Sequence, residues 1–233
     1  MVEKVAIVTA ASKGMGAACA RELSRRGYQL VLMARSNAIN DLAEELGAVG
    51  IQGDVTNPVD LKKLVAITLE EHGRVDAVIN SSGHPARGDL LELSDDDWHA
   101  ALDLMLLNIV RIARLTVPAM TEQGGGAFVN ISTFAAREPS LDYPLSSAIR
   151  AGTTAFTKLL ADRYAGDNIR MNSVLPGYID SFPMEAKAAQ ALPMHRPGSV
   201  NEIARTAAFL ISDDAGYITG QSIVVDGALS TSI

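Results

Sequence analysis

Short apolar runs alternate along this chain with longer amphipathic stretches. The runs are Val5 to Val8, Gln29 to Ala34, Ala48 to Gln52, Ala77 to Asn80, Ala127 to Ile131, Arg170 to Leu175 and Ser222 to Val225. Their hydrophobicity is continuous rather than alternating, which suits strands covered on both faces. The stretches between them have the helical period that crossovers between parallel strands require. The pattern predicts an α/β fold: a doubly wound parallel sheet of seven strands with helices on both faces. Helix starts support it. Asn57-Pro58 places proline in a first turn, Ser94-Asp95-Asp96-Asp97 offers a cap, and Ser199-Val200-Asn201-Glu202 has capping-box spacing. Gly124-Gly125-Gly126 separates a long helix from the strand that begins at Ala127.

Composition narrows the class. The 233 residues are 48% hydrophobic and 20% charged, globular values, with no linker, repeat or compositional shift to mark a second domain; a single domain over 1–233 is expected. The net charge of −7 gives no electrostatic reason to seek nucleic acid or an anionic membrane surface. The single cysteine, Cys19, stands at an apolar helical position and reads as core, so neither a disulfide nor a cysteine-built metal site is expected. Met1-Val2-Glu3-Lys4-Val5 enters the first strand at once, without a basic segment or a long apolar core, and a cytoplasmic location is the expectation.

The chemistry begins after the first strand. Thr9-Ala10-Ala11-Ser12-Lys13-Gly14-Met15-Gly16 leads into a helix from Ala17 toward Arg26. A glycine turn between strand and helix lets backbone amides and the positive helix terminus approach a pyrophosphate. From here the chain resembles the short-chain dehydrogenase/reductase family, whose turn reads Thr-Gly-x-x-x-Gly-x-Gly, and the resemblance covers essentially all 233 residues. Asp54-Val55 resembles the family's adenine-contacting pair, and Asn80-Ser81-Ser82-Gly83 its Asn-Asn-Ala-Gly segment. Pro176-Gly177 resembles the turn beside the nicotinamide. Tyr217-Ile218-Thr219-Gly220-Gln221 and Val225-Asp226-Gly227 resemble the C-terminal signature. The resemblance implies a Rossmann-type fold that binds a nicotinamide dinucleotide. Ala10 stands where the family has its first glycine, and is tolerable there if its φ is negative.

The second strand ends in Ala34-Arg35-Ser36 rather than in a carboxylate, and Lys13 adds a second cation in the turn; both favour the 2′-phosphate, so NADP(H) is the expected cofactor.

The resemblance implies hydride transfer between that cofactor and a carbonyl or alcohol, using a tyrosine, a lysine four residues later, a serine after the fifth strand and an asparagine in the long helix. Aligning Ser146-Ser147-Ala148-Ile149-Arg150-Ala151-Gly152 with the family's helix start puts Ser146 at the tyrosine and Arg150 at the lysine. Thr133 falls at the serine position and Met105 at the asparagine, with Asn108 nearly a turn further along. Ser146 is a poor general acid and Arg150 cannot share a proton, but its guanidinium can hydrogen-bond the nicotinamide ribose or an oxyanion. Tyr143, held non-helical by Pro144, is a candidate proton donor or a tyrosine lining the substrate mouth. Halohydrin dehalogenases in the same family also carry arginine at the lysine position, but they keep the tyrosine and give up the nucleotide turn, the reverse of this chain.

Four histidines, His72, His84, His99 and His195, are scattered without metal-ligand spacing; His84 should stand near the site mouth. Residues Tyr178 to His195 should define the substrate, with Phe182, Met184, Leu192 and Met194 as apolar contacts. The long helix from about Asp97 to Met120 and the helix after Arg150 resemble those that pair subunits in the family, so the resemblance implies a homo-oligomer, dimer or tetramer. The leading reading is an NADP(H)-dependent oxidoreductase acting on a small carbonyl or alcohol. The alternative is an NADP(H)-binding protein with little turnover, serving as sensor or assembly partner.

Overall fold

A computed structural model describes residues 3–232; Met1, Val2 and Ile233, part of the terminal reading above, lie outside the described residues. Seven strands form one parallel sheet: β1 (Val5–Thr9), β2 (Gln29–Ala34), β3 (Val49–Gln52), β4 (Ala77–Asn80), β5 (Gly126–Ile131), β6 (Ile169–Pro176) and β7 (Ser222–Val225), in the order β3-β2-β1-β4-β5-β6-β7. Every pairing is parallel. The continuous hydrophobicity has its cause here, because alternate residues of one strand face two cores. Ala6 and Val8 of β1 pack beneath the helices α1 (Gly14–Arg25) and α8 (Val200–Ile211). Ile7 packs on the other face, where α3 (Pro58–His72), α5 (Asn108–Glu122) and α6 (Pro144–Tyr164) contribute. Cys19 is fully buried in the first of these cores, and burial pushes its thiol up to about 12.

The predicted caps form. Asn57 accepts from the Val59 N–H, and Ser94 and Ser199 make reciprocal capping boxes with Asp97 and Glu202. The predicted long helix is longer than its expected bounds and is not uniform: α4 (Asp95–Leu102) runs into a π-helical turn over Asp103–Leu107 before α5. Gly126 belongs to β5 rather than to the preceding turn. Two short helices complete the order, α2 (Ala38–Leu46) and, after β6, α7 (Ala186–Gln190). None of the helices is long and apolar enough to cross a membrane among the described residues.

Candidate active site

The order of the sheet brings the loops after β1, β4, β5 and β6 together at its C-terminal end, the usual place for a ligand in a doubly wound sheet. The first loop turns through Ala10, whose φ of +48° lies in the left-handed region. The condition under which alanine was tolerable, a negative φ, is therefore not met, and Ala10 carries strain of roughly 1–2 kcal/mol that glycine would avoid. Gly16 is required for a different reason: a Cβ there would lie 2.4 Å from the Ala10 carbonyl oxygen. The helix α1 that follows begins at Gly14, three residues earlier than expected. It has no acidic residue in its first turn and no side-chain cap, whereas α3, α4 and α8 are capped by side chains. Its first N–H groups remain available to an anion.

Ser181, in the loop after β6, faces this turn: its Cβ lies 3.6 Å from where a Gly14 Cβ would stand, and its buried Oγ has no hydrogen-bond partner. An unpaired hydroxyl beside open helix amides fits a bound diphosphate. The sequence reading missed Ser181, because a lone loop serine carries no signal until the fold sets it against the turn.

The other positions expected to meet the cofactor divide into two groups. Thr9, Asn80, Ser81 and Val55 have buried side chains that hold the frame. Thr9 Oγ1 donates to the Ser81 carbonyl at 2.7 Å and accepts from the Ser81 N–H. The Asn80 amide donates to Asn130, which donates to Thr157, and Val55 packs in the core. The Asp54 carboxylate accepts from the Thr56 backbone and hydroxyl. By contrast, Lys13, Arg35 and Ser36 are exposed. Arg35 comes no nearer than 4.0 Å to the Asp54 carboxylate and 3.9 Å to the Cβ position of Gly83, so it overhangs the ends of β3 and β4.

Met15, Pro176 and Gly177 line a cavity of about 390 Å³ together with Thr133, Tyr143, Ser146 and Arg150. Gly177 is fixed by packing, since a Cβ would meet Asp226 at 2.7 Å. Arg150 is buried. Its guanidinium donates to the Ile131 carbonyl at 2.8 Å and to Ser82 Oγ at 3.1 Å, and burial pushes its pKa down to about 10, so it stays charged at neutral pH. No carboxylate pairs with it among the described residues, and its remaining N–H donors are free for a ligand. Thr133 caps a short 3-10 turn, with Oγ1 accepting from the Ala135 N–H, which leaves its own hydroxyl hydrogen to donate. The neighbouring Ser132 Oγ is buried without a partner and also lines the cavity.

Ser146 Oγ lies 3.9 Å from the Met105 thioether, a weak acceptor, and the Met105 carbonyl in the π-helical turn accepts from Thr153 Oγ1. No proton relay is built there. Asn108 is buried, its side-chain oxygen taken by the Ile109 N–H. Tyr143 is non-helical, with φ −140° and ψ 55°, and reaches the cavity from outside the first turn of α6. The guanidinium of Arg87 stacks over its ring at 5.3 Å, and Tyr143 also raises the pKa of Tyr178, after the effect of burial.

Of the expected substrate contacts, Phe182 and Met184 line the cavity. Leu192 and Met194 do not; Met194 packs instead against Gly227, its sulfur 3.1 Å from that residue's Cβ position. His84 stands at the mouth against Phe182, ring centroids 4.9 Å apart. Loss of solvent, then the charges of Arg150 and Arg87, hold its pKa below the ordinary value. No group of three His, Cys, Asp or Glu that could hold a metal occurs among the described residues.

A protein-family model described as enoyl-(acyl carrier protein) reductase matches residues 9–230. The chain is 32% identical to the oxidoreductase UcpA of Salmonella typhimurium, over 96% of this chain and 93% of that protein. It is 31% identical to the 3-oxoacyl-[acyl-carrier-protein] reductase FabG of the same organism, over 97% of each. Among solved structures, L-sorbose reductase from Gluconobacter frateurii, complexed with NADPH and L-sorbose, superimposes with a TM-score of 0.90 at 28% identity over 100% of this chain and 98% of that one.

Proposed function

The chain belongs to the short-chain dehydrogenase/reductase family, and from that premise we propose that it is an NADP(H)-dependent oxidoreductase that reduces a small carbonyl compound or oxidises the corresponding alcohol. One observation carries the reading: a single cavity is lined by Met15 of the glycine turn and Pro176-Gly177 together with Thr133 and a charged, unpaired Arg150. When bound, the cofactor supplies the hydride. Uncapped α1 amides, Gly14 and the Ser181 hydroxyl hold its diphosphate, and Lys13 and Arg35 receive the 2′-phosphate, with Ser12 and Ser36 beside them. The segments Asp54-Val55 and Asn80-Ser81-Ser82-Gly83 shape the floor, Val55 and Asn80 from beneath.

Arg150 and Thr133 donate hydrogen bonds to the reacting oxygen and stabilise the negative charge that grows on it. In this reading Ser146 and Arg150 occupy the places of the family's tyrosine and lysine, and the proton comes from Tyr143. Its phenol is a better proton donor than the alkyl hydroxyl of Ser146 in the same lining, and the Arg87 guanidinium lies over its ring. The protein is a cytoplasmic homo-oligomer of one domain. The apolar groove between α5 and α6, lined by Val117, Phe156 and Leu160 with Leu159 exposed beside it, supports assembly through those helices.

Steady-state NADPH oxidation across a panel of ketones and aldehydes tests the activity, with Tyr143→Phe as the sharpest variant. A loss of about 100-fold in kcat is expected if Tyr143 gives the proton; unchanged kcat removes it from that role. Installing Ser146→Tyr with Arg150→Lys should raise turnover, and no gain would mean that the cavity works as an arginine site in its own right.

A further inference from the structure

The cavity has an electrostatic character that the overall charge of the chain does not predict. In a protein of net charge −7 its lining contains two arginines, Arg87 and Arg150, and no carboxylate. Neither guanidinium forms an ion pair within 4.0 Å among the described residues. They approach from different elements, Arg87 from the loop after β4 and Arg150 from α6, and His84 feels both charges. Asp89, two residues from Arg87, does not pair with it. Asp142, close enough to Tyr178 to affect its titration, is not part of the lining.

Leaving a buried guanidinium without a counter-ion is costly, and such charges are ordinarily paired or neutralised. The other buried arginine, Arg170, is satisfied by three backbone carbonyls, so the fold does supply full partners where no ligand is to be met. The same lining also offers apolar surface in Phe182, Met184 and Ile179.

We propose that the substrate is a carboxylate-bearing carbonyl compound with an apolar body, its carboxylate held by Arg87 at the cavity mouth and its carbonyl oxygen by Arg150. This deepens the oxidoreductase reading and rests on the same cavity. A planar carboxylate matches the guanidinium fork, and the division of labour keeps the buried cation for the reacting oxygen while the exposed one recognises the acid. Neutral ketones would then leave Arg87 idle.

The test uses inert probes, so it does not depend on turnover. NADP+-loaded protein is titrated calorimetrically with benzoate and with benzamide, which share a shape and differ in charge. The proposal expects benzoate to bind about ten-fold more tightly or better, and Arg87→Gln to abolish that preference while Arg87→Lys retains part of it. Equal affinity for the two probes, no benzoate binding at millimolar concentration, or a preference that survives Arg87→Gln would overturn it. The oxidoreductase reading fails separately. A benzoate preference with no NADPH oxidation on any carbonyl compound would leave the anion site standing and remove the activity. Rapid reduction of neutral ketones without a benzoate preference would do the reverse.

Discussion

The N-terminal end of the sheet and the candidate site at its C-terminal end treat their cations in opposite ways. At the N-terminal end Lys4 pairs with Asp213 at 2.8 Å and Arg74 with Asp76 at 2.6 Å, while Arg170 donates to the carbonyls of Leu210, Ser212 and Ile218. At the C-terminal end Arg150 has one carbonyl and one hydroxyl, Arg87 lies on an aromatic ring, and Arg35 is 4.0 Å from its nearest carboxylate. Lys13 is exposed without an ion pair among the described residues. The N-terminal end gives these cations partners; the candidate site leaves its own unspent, whereas Arg196 and Arg111 outside the site are paired with Glu202 and Asp103. The difference teaches that burial alone does not separate a structural arginine from a functional one. Partner count does.

The comparison breaks first at the two buried arginines. Replacing Arg150 by methionine should lower kcat by about 10²–10³-fold through loss of an oxyanion donor, while stability measured by urea unfolding changes by no more than about 1 kcal/mol. Relief of the desolvated charge offsets the hydrogen bonds lost to Ile131 and Ser82. Arg170→Met should do the opposite, because it strips donors from three carbonyls: a loss of about 3 kcal/mol in unfolding free energy with turnover per folded molecule retained. If Arg150→Met unfolds the protein and Arg170→Met inactivates it, the two roles have been assigned the wrong way round.

A smaller effect is expected at Ala10. With φ at +48°, Ala10→Gly relieves left-handed strain but also loosens the unfolded chain, so a net stabilisation of about 1 kcal/mol should appear as a raised Tm. A lowered Tm would show that the methyl group is packed rather than strained. The smallest effect is at His84, followed by NMR. Its pKa lies below the ordinary value, so the ring is neutral through neutral pH and gains its proton only on acidification. Arg87→Gln should move that pKa upward, though burial and Arg150 continue to hold it down.

Much of the fold was legible because hydrophobic continuity reports burial on two faces. The runs ending at Ala34 and Asn80 match β2 and β4 residue for residue, and the caps at Asn57, Ser94 and Ser199 formed as their spacing required. The candidate site was legible where a backbone motif marks it, since Met15 of the glycine turn and Pro176-Gly177 meet at one cavity, and less so where a side chain's task depends on tertiary partners. Asn80 and Thr9 sit in segments expected to meet the nucleotide, yet their side chains tie strands together. The sign of φ at Ala10 was not readable at all, because an alanine's type does not encode it. Ser181 and Arg87 gave no local signal, since each acquires meaning only from the element set against it.

The most direct test of the central claim, that the candidate site keeps its cations for anionic ligands, is a fluorescence titration of the purified protein with NADPH and separately with NADH. Capture of the 2′-phosphate by Lys13 and Arg35 predicts that NADPH binds roughly ten- to hundred-fold more tightly, with the advantage shrinking as salt is raised. NADH binding as tightly as NADPH would contradict the account and leave those two charges as ordinary solvated side chains.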